Sequence, residues 1–165
     1  MKPLGLPIRN TREFLAVSTD VLHDGHAVRF RAEGWSMYPI IRDGDIVEVA
    51  PVRASQLRRG DVLLCRIGDA AIAHRLVGFN NSTGHTALVL RGDAAFAKDA
   101  PVPFTTVIGR VTDVRRDGNE RGLATHGARI TGLIVSHLWR VKRWAVQRFW
   151  ARINQTSARS SHARP

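Results

Sequence analysis

Short segments of alternating or β-branched residues, separated by turns rich in glycine and aspartate, are the strongest constraint on how this chain folds. Six such segments cover residues 26–32, 45–49, 62–67, 71–79, 88–91 and 107–114. The turns between them include Asp43-Gly44-Asp45, Arg59-Gly60-Asp61 and Arg91-Gly92-Asp93. Strands this short and this closely spaced favour an antiparallel sandwich or barrel over β–α–β units. The sequence therefore predicts a mainly β fold.

Helical periodicity is found on either side of this β region. Residues 11–23 follow a candidate cap at Asn10/Thr11 and predict a short helix with Phe14, Val17, Val21 and Leu22 in one stripe. Residues 128–153 predict a longer amphipathic helix. Its broad apolar face comprises Ile130, Leu133, Ile134, Leu138, Val141, Ala145 and Phe149. Its opposite strip comprises Ser136, Arg140, Arg143 and Gln147, and Trp139, Trp144 and Trp150 are expected at the edges of the apolar face.

These patterns predict an ordered series of segments in a chain of 165 residues, which is enough for about one domain. Residues 1–25 form an N-terminal segment with the short helix, and residues 26–116 form the β domain. Residues 117–127 are rich in glycine and charge and predict a linker. The amphipathic helix of residues 128–153 follows, and the polar residues 154–165 predict a disordered tail.

Composition narrows the class of protein. The single cysteine, Cys65, excludes an intramolecular disulfide framework and any multi-cysteine metal site, and it is expected to be an inert core residue. The histidines show no ligand spacing, so neither a metal nor another cofactor is expected. No apolar run reaches 18 residues, and the N-terminus meets charge and proline too early for a cleavable signal peptide. A cytoplasmic or peripheral membrane location is therefore expected.

The net charge of +11 is concentrated near the C-terminus. Residues 121–165 contain nine Lys/Arg and no Asp or Glu, which leaves the preceding residues nearly neutral. A basic helix with apolar and tryptophan-rich faces is typical of an anchor at a membrane surface. Docking on the β core or on a partner protein remains an alternative. Nucleic acid is disfavoured, because the segment has no recognisable DNA- or RNA-binding pattern.

Three separated strings contain candidate catalytic residues. Ser36 lies between a predicted strand and a proline-containing turn, His74 lies in an otherwise apolar strand, and Asp93 and Asp99 follow a later strand. Serine catalysis needs a hydroxyl, a base that takes its proton, and often an acid that orients the base. Taken alone these residue types are not specific, because nearly every protein contains them.

Four strings together are more informative: GWSMYPIIRDGD, LRRGDVLLCRIGDAAIAHRLVGF, LRGDAAFAKD and VIGRV. They resemble, in order and spacing, successive blocks of the signal peptidase/LexA-type serine peptidase superfamily, over about residues 26–112. The resemblance implies a core of twisted β-sheet forming a partly open barrel, with a short N-terminal helix and the C-terminal basic helix added to it. It also implies that Ser36 is the nucleophile, at the rim of a peptide-binding groove.

The general base distinguishes branches of this superfamily. The chain has only three lysines, and none lies in the AHRLVG block, where His74 stands instead. In this respect it is similar to the histidine-type signal peptidases of archaea and the endoplasmic reticulum. That likeness implies His74 as base and Asp99 as its orienting acid, with Asp93 as a supporting carboxylate, although the two aspartates are not separated. Gly34 stands where many signal peptidases have a second serine, so the backbone N–H of Ser36 is the expected oxyanion donor.

The resulting hypothesis is a serine endopeptidase of signal-peptidase-like type that cleaves a leader or precursor peptide through an acyl-enzyme. The expected partner is a peptide or protein substrate. Two alternatives stay open: a catalytically weak binding or regulatory module with the same fold, and a LexA-type self-cleaving protein. No DNA-binding segment or clear cleavage linker is recognised before the core, which disfavours the second of these.

Overall fold

A computed structural model describes residues 11–81 and 86–160, with side chains described as far as Trp144. It contains two α-helices, α1 (Thr11–His23) and α2 (His126–Ser160). The strands are β1 (Val28–Arg31), β2 (Ile46–Ala50), β3 (Val62–Ile67), β4 (Ala70–Asn80), β5 (Ala87–Arg91), β6 (Val102–Pro103), β7 (Val107–Arg116) and β8 (Asn119–Gly122). Short 3₁₀ turns cover Ala54–Gln56 and Phe104–Thr106.

The eight strands form one antiparallel sheet in the order β1-β2-β7-β3-β4-β5-β6, and β8 pairs with β7. Within the described residues the sheet is not closed, because its two edge strands, β1 and β6, do not pair with each other. The expected mainly β fold is thus confirmed, with a twisted open sheet flanked by an N-terminal and a C-terminal helix. The β-bulges in β2–β7, β3–β7 and β4–β5 change the strand direction locally.

Apolar residues pack on both faces of the central strand β3. Because successive side chains of a strand point to opposite faces, Val62 and Leu64 join one core cluster while Leu63 and Cys65 join another. The first cluster also contains side chains of α1 and of the turn that carries Ser36, and the second also contains side chains of β5. Strand β4 pairs along β3, whose first four residues are buried, and is therefore held firmly on that side.

The helix α1 and the six predicted strands are present, with ends within a few residues of those expected. The two-residue β6 was not predicted. The linker prediction for residues 117–127 was wrong in part, because β8 and the start of α2 lie there. Residues 154–160 continue α2 where a disordered tail was expected. Residues 1–10, 82–85 and 161–165 are outside the described part of the chain.

The helix α2 packs against the β domain through the side that contains Ser136, a residue of the predicted polar strip. Arg129 Nε donates to Asp61 at 2.6 Å, and Gly132 lies directly against the guanidinium group of Arg75. Ser136 is buried, and the ring centroids of Trp139 and Tyr38 are 4.8 Å apart. The N-terminal half of α2 is thus part of the folded domain.

None of the helices among the described residues has a long enough apolar stretch to cross a bilayer. The side chains of Ala145, Gln147, Phe149 and Trp150, which the sequence assigned to faces of α2, lie outside those that the structure describes.

Candidate active site

Ser36 is exposed on a tight turn between β1 and β2. The turn is fastened to the core by buried side chains that follow the serine, namely Met37, Ile40 and Ile41. The backbone N–H groups of Ile40 and Ile41 both donate to the Met37 carbonyl at 3.0 Å. The Tyr38–Pro39 peptide bond is cis. Ser36 is therefore held on a rigid segment and is not a member of a loose loop.

Gly34 and Asp43 close the base of this turn. Gly34 has a φ of +89°, which favours glycine, and its backbone N–H donates to the Asp43 carboxylate at 2.8 Å. That N–H is consequently engaged by the chain itself. The N–H of Ser36 as oxyanion donor stays a prediction.

His74 lies in the middle of β4, opposite Leu63 of the buried strand β3. Its Nδ1 is 2.6 Å from Oδ2 of Asp99, and its side chain is only 13% exposed. When Nδ1 carries the proton that Asp99 accepts, Nε2 is left without one and acts as a proton acceptor. The pair therefore has the form of an oriented general base.

The register of β4 and β5 explains how a carboxylate 25 residues away reaches His74. Arg75 pairs with Arg91 at the end of β5, so the chain leaves the sheet beside His74 at Gly92. The following loop turns back, and the N–H of Asp99 donates to the Leu90 carbonyl at 2.9 Å. This bond brings the Asp99 carboxylate under the imidazole.

Gly92 marks the point where the serine turn and the histidine strand converge. A Cβ at this position would lie 2.7 Å from the Ser36 carbonyl oxygen, 3.2 Å from His74 Nε2 and 3.3 Å from Ser36 Cβ. Only glycine fits without displacing one of them. The N–H of Ala94 also donates to the Ser36 carbonyl at 2.9 Å, which joins the two segments. Nε2 of His74 thus faces the same small space as the Ser36 side chain.

No direct hydrogen bond joins the Ser36 hydroxyl to His74 among the described residues. Such bonds are often long in enzymes without substrate, and both the His74 Nε2 and the Ser36 Cβ lie near the position that a Cβ at Gly92 would take. The structure therefore places the Ser36 turn, the His74 imidazole and the Asp99 carboxylate in one region of the surface.

Asp93 does not reach the imidazole. Its two carboxylate oxygens accept from Nε and Nη2 of Arg75 at 2.7 and 2.6 Å, and both side chains are almost fully buried. The third guanidinium nitrogen of Arg75 donates to the Gly60 carbonyl at 2.7 Å. The expectation that Asp93 supports His74 directly was wrong, because the adjacent arginine on β4 takes both of its oxygens.

Cys65 is buried in the core and does not compete with Ser36 as a nucleophile. Burial, reinforced by the charge of Asp99, raises the pKa of the Cys65 thiol to about 12 against a smaller opposing bond from Thr106. Cys65 is therefore a protonated thiol at neutral pH. Within residues 11–81 and 86–160, no group of three or more His, Cys, Asp or Glu side chains is arranged to hold a metal ion.

Two arginines give the nearby surface a positive charge. Burial lowers the pKa of Arg91, and the neighbouring Arg140 of α2 lowers it further, while Asp93 opposes both effects. Burial likewise lowers the pKa of Arg140. An arginine side chain is effectively always protonated in proteins, so both groups are cations at neutral pH.

The open antiparallel sheet with its flanking helices is consistent with the LexA/signal peptidase serine peptidase superfamily. A family model described as Peptidase S24-like matches residues 3–112, and the chain belongs to this family. Its fold is therefore that of a serine peptidase or LexA-type self-cleaving protein. A comparison with curated proteins finds no match.

Sequence reasoning placed Ser36, His74 and Asp99 near one another but overlooked Gly92 and Arg75. A signal for both was present. Arg75 is a charged residue inside an apolar strand, and Gly92 and Asp93 follow the next strand directly. A buried charge requires a partner of opposite sign, so the Arg75–Asp93 pair follows from the pairing of β4 with β5.

Proposed function

We propose that this protein is a serine endopeptidase that cleaves a leader or precursor peptide, with Ser36 as nucleophile, His74 as general base and Asp99 as the acid that orients the base. One observation carries the proposal: His74 Nδ1 bonds to Asp99 at 2.6 Å while Nε2 faces the space beside Ser36. The base is a histidine, as in the archaeal and endoplasmic-reticulum signal peptidases.

The reaction begins when His74 Nε2 takes the hydroxyl proton of Ser36. The serine oxygen attacks the carbonyl carbon of the substrate peptide bond, and the carbonyl oxygen becomes an oxyanion that accepts from the Ser36 N–H. The imidazolium then gives its proton to the leaving amine as the C–N bond breaks. Water, deprotonated by the same imidazole, hydrolyses the ester and releases Ser36.

Asp99 keeps the imidazole in the required tautomer and stabilises its cationic form during the two proton transfers. Its side chain is 38% exposed, so it interacts with solvent as well as with His74. The exposed aromatic side chains of Trp35 and Phe96, on the serine turn and on the loop after Gly92, offer apolar surface for an extended peptide.

The test uses a fluorophosphonate probe, which reacts with an activated serine and needs no knowledge of the substrate. The full-length protein should be labelled at Ser36, while Ser36→Ala should not be labelled and His74→Ala should react at least about 10³-fold more slowly. Ser55→Ala is the matched control, because Ser55 is an exposed serine outside the site. Equal labelling of the wild type and Ser36→Ala would refute the proposal.

The alternatives give different results in the same experiment. A binding module with this fold would show no Ser36-dependent labelling although it is folded. A self-cleaving protein would be labelled and would also shorten its own chain at a rate independent of protein concentration. A shortened chain in the wild type but not in Ser36→Ala, with no cleavage of added peptide libraries, would replace the precursor-cleaving proposal.

A further inference from the structure

Exposed apolar side chains run along the outer face of α2. Ile130, Ile134, Leu138, Val141 and Trp144 are 46%, 54%, 60%, 50% and 53% exposed. Their spacing of three and four residues places them on one side of the helix. We call these five residues the outer strip. The exposed His137 lies on the same side, so this side of α2 is apolar at five of its six exposed positions from Ile130 to Trp144, whereas single exposed apolar residues are common on protein surfaces.

The outer strip cannot turn inward, because the opposite side of α2 is fastened to the domain. Arg129 bonds to Asp61, Gly132 contacts Arg75, and Trp139 packs on Tyr38. Farther along, Arg143 Nη1 donates to the Ala94 carbonyl at 3.0 Å, and its guanidinium lies 5.3 Å from the centre of the Phe96 ring. Rolling the helix to bury the outer strip would break all of these contacts.

Charge identifies the partner that suits this surface. The helix α2 contains seven arginine or lysine residues and no acidic residue. A second copy would carry the same positive charge on its own α2, so charge repulsion opposes self-association through the outer strip. Nucleic acid would satisfy the cations but would leave the aliphatic side chains in water. An anionic lipid bilayer offers negative headgroups and an apolar interior to one straight helix.

We propose that the outer strip of α2 inserts into the surface of an anionic membrane. The helix axis then lies parallel to the bilayer surface, and the β domain lies on the aqueous side of the helix. The contact is independent of catalysis. Trp139 touches Tyr38 from the side opposite to the outer strip, so the serine turn stands roughly one helix diameter, about 10 Å, from the inserted face. On the proposed function, which this one consequence assumes, Ser36 would act on precursors close to the membrane.

The experiment is sedimentation of the full-length Ser36→Ala variant with vesicles, so that its result does not depend on peptidase activity. The probe vesicles are phosphatidylcholine alone or with about 30% phosphatidylglycerol, at about 50 and about 500 mM salt. Binding is expected to the anionic vesicles and should weaken at high salt. Ile134→Ser with Leu138→Ser should lower the affinity by about tenfold or more.

Ile67→Ser is the matched control, because Ile67 is an exposed isoleucine of β3 outside the outer strip, and it should bind as the parent does. Thermal unfolding of each variant verifies folding. The proposal is overturned if the parent fails to bind anionic vesicles at low salt, or if the double variant binds as well as the parent. A dimer in light scattering that the double variant abolishes would assign the outer strip to a second copy and would also overturn it.

Discussion

At the scale of single residues, Asp93 and Asp99 differ in where the loop after β5 carries them. Both follow the same strand, and both are carboxylates within reach of β4. The bond from the Asp99 N–H to Leu90 turns Asp99 toward His74, while Arg75 holds Asp93 in the interior. Asp99 therefore bonds to the imidazole, and Asp93 bonds to the arginine that follows His74 in β4.

We expect Asp99→Asn to slow fluorophosphonate labelling of Ser36 by about 10²–10⁴-fold, because an amide does not hold the imidazole in the tautomer needed for proton removal. The melting temperature should change little, since Asp99 is part-exposed. Asp69→Asn, which alters an exposed aspartate paired with Arg12, is the control and should react normally. An unchanged labelling rate in Asp99→Asn would exclude Asp99 from the orienting role.

The resemblance to the family, and not the residue types by themselves, brought Ser36, His74 and the two aspartates into one candidate site. It could not separate Asp93 from Asp99. Their difference arises from a single backbone bond in the returning loop and from the burial of Arg75, and both depend on which strand lies next to which.

At the scale of secondary-structure elements, β4 holds the base on one residue and a buried cation on the next. Arg75 joins β4 to the loop after β5 through Asp93 and to the turn before β3 through the Gly60 carbonyl. Because His74 and Arg75 are adjacent in β4, these bonds hold the backbone of β4 in position next to the imidazole. The pair is a support for the site.

Removing one member of this pair should be costly. We expect Asp93→Asn to lower the free energy of unfolding by about 3–5 kcal/mol, because it leaves Arg75 charged and incompletely paired in the interior. Urea unfolding measures the loss. If the single variant is too unstable, Arg75→Met with Asp93→Leu should recover much of the stability, since both charges are then absent. Wild-type stability in Asp93→Asn would contradict this account.

The two helices show the limit of periodicity as a guide. For α1 the sequence predicted a stripe of Phe14, Val17, Val21 and Leu22, whereas the buried side chains are Leu15, Ser18 and Leu22. For α2 the predicted apolar face contains four of the exposed residues, Ile130, Ile134, Leu138 and Val141, whereas Leu133 of that face is half-buried. Periodicity identifies which side chains share a face. Which face finds a partner depends on the rest of the fold.

At the scale of the whole molecule, three buried aspartates each bond to an arginine from a distant part of the chain. Asp45 pairs with Arg116, Asp61 with Arg129 and Asp93 with Arg75. Asp45 and Asp61 also accept the backbone N–H three residues earlier, at 2.7 and 2.8 Å. The sequence predicted structural turns at these Gly-Asp sites, but not the remote arginines.

The pair of Asp45 and Arg116 predicts a pH-dependent stability. Burial raises the pKa of Asp45, but the bonds from Arg116 and the Arg42 N–H outweigh it, and the pKa is lowered from 3.8. Because the folded state favours the carboxylate, this stabilisation is present above about pH 4 and is lost as the pH falls through the lowered pKa. Arg116→Gln should therefore cost about 1.5–3 kcal/mol at pH 7 and progressively less below pH 4.

Urea unfolding of the wild type and Arg116→Gln at pH 7 and pH 3 measures this difference. Arg121→Gln is the control, because Arg121 is exposed, and it should follow the wild type at both values. A gap between the wild type and Arg116→Gln that is equally large at pH 3 would contradict the assigned charge interaction.

The close contact between Gly132 and the Arg75 guanidinium has a consequence for truncated variants of this protein. An added Cβ at Gly132 would come within 2.5 Å of Arg75 Nη1, so the backbone of α2 itself covers the buried ion pair of Arg75 and Asp93. A chain cut before α2 would let water reach these charges. Such a shortened protein keeps every residue proposed for catalysis. It lacks the helix that covers Arg75 of β4, the strand that carries the imidazole. We therefore expect it to be a poor substitute for the intact chain in crystallisation or inhibitor screens.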